Sequence, residues 1–160
     1  MKSVTDTVAL VGEDNPLSTD PEFALYPSPD GCSGHRLMKI LGLPEDQYLA
    51  LHRTNLCSRE SFSMKEARRR AELLCTDPSA PWRVVVMLGR KVADAFGYEM
   101  DFFTHGIEPK TAAWTRPVTL VSLPHPSGRN SPIWNAQARQ RAREILRELS
   151  PEISWGSHHE

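Results

Sequence analysis

The segment WRVVVMLG, residues 82–89, constrains the fold more than any other part of the chain. Val84 to Leu88 run without a polar residue and stop at Gly89. A strand with one wet face alternates apolar and polar residues, so an unbroken β-branched run predicts a strand buried on both faces. Such strands belong to parallel sheets covered by helices. TVALVG at 7–12 and PVTLVSLP at 117–124 are similar runs, and a further strand is expected at 48–53, within QYLALHRTNLC. Helical patterns lie between them. HRLMKILGL is apolar at Leu37, Met38, Ile40 and Leu41, and SMKEARRRAELLC opens with the capping pair Ser63 and Glu66. RKVADAFG gives a short helix and SPIWNAQARQRAREILREL a final amphipathic one. Alternating strands and helices predict an α/β protein: a single three-layer α/β/α domain around a central, mostly parallel four-stranded sheet. One domain over residues 1–150 is expected, with 151–160 as a flexible C-terminal tail.

The bulk properties exclude several classes. A hydrophobic content of 39% with 24% charged residues fits a globular protein and not a disordered one. No run approaches the roughly 18 to 20 apolar residues of a membrane span, and the first residues lack a signal-peptide core, so a cytoplasmic protein without a membrane partner is expected. Cys32, Cys57 and Cys75 cannot all pair and contain no CxxC, which leaves neither a disulfide framework nor a four-ligand zinc site. The net charge of −1 does not advertise a polyanionic partner. Arginines do cluster, at 68–70 and at 139, 141, 143 and 147, either as basic patches or as solvated helix faces. Neither GxGxxG nor GxxxxGK[ST] follows any strand.

Ligands of open α/β sheets bind at the carboxyl ends of the strands. That rule nominates GEDNP after the first strand, TNLC after the second, GRK after the third and HPSGRN after the fourth. The long Pro-, Ser- and Asp-rich stretch between residues 13 and 34 has the composition of a functional loop.

In order and spacing these segments resemble the uracil-DNA glycosylase superfamily, over roughly residues 7–148. VGEDNP is similar to its first motif, which carries the water-positioning residue. Gly31, Ser33, Gly34 and Leu37 are similar to the small-residue loop of the thermostable branch, TNLC to the base-reading segment, and LPHPSGRN to the last motif of the single-strand-selective branch. The resemblance implies a monofunctional DNA glycosylase that flips a pyrimidine out of DNA and hydrolyses its bond to the sugar, acting as a monomer with no cofactor and no metal.

Cleavage of an N-glycosidic bond builds positive charge on the sugar and negative charge on the base, so a site must stabilise both and supply water. On the resemblance, His125 stabilises the departing base. Asp14 positions the water, with Asn15 as the second candidate and Glu13, which matches the thermostable branch, as the third. Asn55, able to donate and accept, reads the base edge. Ser127 and Gly128 approach a phosphate, Arg129 and Asn130 push into the duplex, and Arg90 and Lys91 add phosphate contacts. Outside that frame, Asp14, Asn15 and Pro16 make an ordinary turn, Asn55 an Asx-turn or cap, and Arg129 a surface arginine.

The pattern also departs from the family. Pro29 stands where the thermostable branch stacks a phenylalanine on the base, so Tyr26 or Phe23 would have to supply the ring. Leu17 replaces the tyrosine that gates against C5 substituents in the classical enzymes. Both changes point to a bulkier base, a C5-substituted or glucosylated pyrimidine of the kind found in phage DNA, as against plain uracil in base-excision repair. Cys57 and Cys75 lie near two ligands of the iron–sulfur branch, but the N-terminal cysteine pair is absent and no cluster is expected. The competing classes are a noncatalytic base- or DNA-binding protein on the same scaffold and an unrelated nucleotide-binding α/β domain.

Overall fold

Residues Val84–Leu88 form a strand in which every residue is buried, and its two faces organise the molecule. The computed structural model describes residues 7–13, 23–57, 63–107 and 117–157. Along the chain lie β1 (Val8–Gly12), α1 (Ser33–Leu41), α2 (Glu45–Ala50), β2 (His52–Asn55), α3 (Met64–Thr76), β3 (Val84–Leu88), α4 (Arg90–Ala95), β4 (Thr104–Ile107), β5 (Thr119–Leu123) and α5 (Ala136–Leu149). The strands form one sheet in the order β2-β1-β3-β5-β4. β1, β2, β3 and β5 are mutually parallel, and β4 runs antiparallel along β5.

Successive side chains on a strand point to opposite faces, and the core divides accordingly. Leu10, Val84, Val86, Leu88 and Leu123 pack with Leu37, Leu41 and Tyr48 of α1 and α2 and with Ala142 and Leu146 of α5. Ala9, Val11, Val85 and Met87 pack with Ala67, Ala71 and Cys75 of α3 and with Val92 and Ala93 of α4. Helices thus cover both faces, as the continuous apolar runs predict.

Four expectations are corrected. The sheet has five strands, not four; the added β4, THGI, is a short edge strand with polar residues and a glycine, which carries no apolar signal. The strand expected at 48–53 is instead α2 followed by β2: Pro44 caps a helix whose first turn carries Glu45 and Asp46, favourable at the positive helix end. The last helix begins at Ala136, because the Asn135 side chain accepts from the Ala138 amide at 2.9 Å and ends the preceding turn. The tail expected to be flexible is packed over 151–157, with Ile153 and Trp155 buried in the core.

The Ser63 cap forms as expected, its hydroxyl accepting from the Glu66 amide at 3.4 Å. Ser63→Ala leaves that amide unpaired and is expected to lower stability by about 1 kcal/mol, read as a shift in the urea midpoint. Among the described residues no helix is long and apolar enough to cross a membrane.

Candidate functional site

The parallel pairing brings the carboxyl ends of β2, β1, β3 and β5 to one end of the sheet, where the described residues of the four nominated segments begin. Gly12 at the end of β1 is in register with Asn55 at the end of β2. The Asn55 side chain reaches across the strand end: a Cβ on Gly12 would stand 2.5 Å from Asn55 Oδ1 and 3.3 Å from Leu25 Cδ2. Only a glycine leaves room for the amide. Oδ1 is buried and has no hydrogen-bond partner among the described residues. A buried carbonyl oxygen left unpaired costs about 1 to 3 kcal/mol, which a ligand N–H can recover.

One residue beyond Gly12, Glu13 turns toward the neighbouring strand ends. A Cβ on Gly89 would stand 3.3 Å from Glu13 Oε1 and 3.3 Å from His125 Cβ, so the carboxylate and the histidine lie against the same glycine. Gly89 has φ of 104° and ψ of 163°, a region essentially restricted to glycine. Its amide donates to the Leu123 carbonyl at 2.8 Å, tying the end of β3 to the segment that carries His125. The His125 carbonyl in turn accepts from Asn130 Nδ2 at 2.8 Å and from the indole of Trp134 at 3.3 Å. His125 is therefore fixed from behind by two donors while its ring side faces the strand ends.

The roof of this edge is the 23–36 segment. The Tyr48 hydroxyl donates to the Leu25 carbonyl at 2.7 Å, and Arg53 Nη1 donates to the Ala24 carbonyl at 2.8 Å. Burial pushes the Tyr48 phenol well above its ordinary range, so it remains a neutral donor. The backbone at Leu25 and Tyr26 crosses the first turn of α1 so closely that a Cβ on Gly34 would overlap the carbonyl oxygens of both residues. Tyr26 packs edge-on against Phe23, ring centroids 5.2 Å apart, with the Arg53 guanidinium 5.9 Å from the Tyr26 ring. Phe23 is 46% exposed, which leaves an aromatic face open beside the roof. Pro29 is exposed and contributes no ring to the site.

No family model matches the chain, and no curated protein is significantly similar to it. The placement of the individual residues therefore carries the functional argument.

Glu13 and His125 meet at Gly89, and Asn55 lies against Gly12 at the adjoining strand end. Asp14, Asn15 and Leu17 lie outside the described residues. Asn130, expected to enter the duplex, is half-buried and holds the His125 carbonyl instead, because its amide is the nearest donor to that oxygen in the 3₁₀ turn Gly128–Asn130. Arg129 in the same turn is exposed. Gly128 stands against the Arg36 guanidinium, 3.2 Å from the position of a Cβ, and Ser127 is half-buried beside it. Arg90 covers the Phe102 ring at 4.7 Å and donates to the Met100 carbonyl at 3.1 Å, which gives it a local structural task. Lys91 is exposed on α4. Cys57 and Cys75 are both buried in the α3–α4 core, and among the described residues no group of three His, Cys, Asp or Glu side chains is arranged to hold a metal. Trp134 and Arg36 carried no signal in the sequence, whereas Gly12 and Gly89 stood in the nominated GEDNP and GRK segments without the close contacts that they make.

Proposed function

We propose that the protein is a monofunctional DNA glycosylase that hydrolyses the N-glycosidic bond of a flipped-out pyrimidine, with a C5-substituted base as its substrate. One observation carries this reading: a carboxylate, Glu13, and His125 lie against the same glycine, while at the adjoining strand end Asn55 holds a buried carbonyl oxygen without a partner among the described residues. Asn55 accepts an N–H from the polar edge of the base. His125 stabilises the negative charge that develops on the base oxygen, and Glu13 orients water and favours the cationic sugar. Asp14 and Asn15 are the alternative positions for that second role. Phe23 and Tyr26 supply the aromatic surface that Pro29 lacks. The chemistry asks for water and these side chains, a single copy of the chain, and DNA as partner.

The test is incubation with oligonucleotides carrying uracil, 5-hydroxymethylated or glucosylated cytosine, or ordinary bases, followed by detection of abasic sites. Abasic sites from a C5-substituted substrate are expected. Cleavage of uracil alone would transfer the protein to base-excision repair. Tight binding without base release would make it a noncatalytic reader and overturn the proposal.

A further inference from the structure

A second feature stands beside the strand-end site and takes no part in the chemistry above. A cleft of about 270 Å³ opens between α1 and the 126–139 segment, and Arg36, Lys39 and Arg139 line it together with His35, Ser127 and Ser131. No Asp or Glu is among its described lining residues. Three cations around one opening repel one another, and an apolar wall concentrates their field toward whatever enters. Trp134 supplies such a wall.

The cations are not equivalent to ordinary surface arginines. Arg36 is held in place, with Nε donating to the Gly31 carbonyl at 2.9 Å and Nη1 to Ser131 Oγ at 3.3 Å. Its guanidinium lies over Gly128, where a side chain would displace it. By contrast, Arg143 and Arg147 of α5 point away from this role: Arg143 donates to the carbonyls of Ile40 and Lys39, and Arg147 to that of Trp155. Of the four arginines of α5, Arg143 and Arg147 thus hold backbone carbonyls, Arg141 is exposed, and Arg139 lines the cleft. Ser127 follows His125 by two residues, so their backbones are within about 7 Å of each other.

We propose that this cleft seats a phosphodiester of the DNA strand whose base enters the neighbouring site, with Lys39 and Arg139 as the cations that close on it. The proposal rests on the reading of that site as a DNA site. A fixed guanidinium, two flanking cations and two serines match a singly charged tetrahedral oxyanion, the Asp30 carboxylate reaches the lining only through His35 at 3.4 Å, and adjacency to His125 fits a phosphate next to the flipped nucleotide.

The experiment is fluorescence anisotropy of the full chain with a labelled oligonucleotide across about 50 to 200 mM salt. Lys39→Gln and Arg139→Gln are each expected to weaken binding and to reduce the slope of log K against log salt by about 0.7 to 0.9. Lys65→Gln, on α3 across the sheet, serves as the unaffected control. Lys39 is exposed, so its variant keeps the test valid if Arg139→Gln folds poorly. Slopes equal to that of the parent in both variants overturn the proposal. Saturable binding of inorganic phosphate that Lys39→Gln abolishes, with the DNA slope unchanged, also overturns it and assigns the cleft to a free anion. Slope changes in a protein that releases no base retain the phosphate seat and remove the glycosylase, whereas base release with unchanged slopes does the reverse.

Discussion

Replacing Trp155 by alanine is expected to lower stability by about 3 to 5 kcal/mol, the range for truncating a buried aromatic. Trp155 is 3% exposed and packs in the cluster of α1, α2 and α5. Its indole N–H donates to the Ser150 carbonyl at 2.9 Å, and its own carbonyl accepts from Arg147 at 3.2 Å. The next residue, Gly156, donates to the Leu41 carbonyl at 2.9 Å, near the C-terminal end of α1. Truncation therefore opens a cavity and removes the shorter of the two hydrogen bonds to the Ser150 carbonyl, which keeps only the Ile153 amide at 3.3 Å, while the backbone clamp loses its anchor. Urea denaturation reads the effect as a lower midpoint with an unchanged slope. A loss below about 0.5 kcal/mol, typical of a surface position, would mean that the tail is not part of the core.

His125→Ala is expected to reduce single-turnover base release by about 10²- to 10³-fold, the loss that follows removal of one oxyanion donor. On the proposed mechanism DNA affinity changes little, because the interaction would strengthen only as charge develops on the leaving base. The contacts of the His125 backbone with Asn130 and Trp134 do not involve its side chain, so the variant retains the scaffold of the loop. A fall in affinity that matches the fall in rate would place His125 in ground-state binding instead.

What the sequence made legible follows from burial. β3, buried throughout, was readable because every position from Val84 to Leu88 had to be apolar. β2 and β4 lie at the two edges of the sheet, and HRTN and THGI carry polar residues that leave no such mark. In the 150–157 segment only Ile153 and Trp155 are buried apolar side chains, set among Pro, Glu, Ser and Gly, a loop composition that conceals a core contact. At the candidate site, the strand-end rule nominated Glu13, Asn55 and His125, since it depends only on where strands stop. It could not find the contacts of Gly12 with Asn55, of Gly89 with Glu13 and His125, or of Gly34 with the 25–26 backbone, which depend on how separate segments cross. The bond of Asn130 to the His125 carbonyl was hidden for the same reason, since it exists only in the folded loop.

The central claim is that a base leaves the DNA, and intact-mass spectrometry of an oligonucleotide bearing glucosylated hydroxymethylcytosine tests it most directly. The account predicts a strand that has exchanged the modified base for a hydroxyl, with its backbone unbroken and the free base in solution. A strand of unchanged mass after saturation with the protein, for this base and for uracil alike, would contradict it.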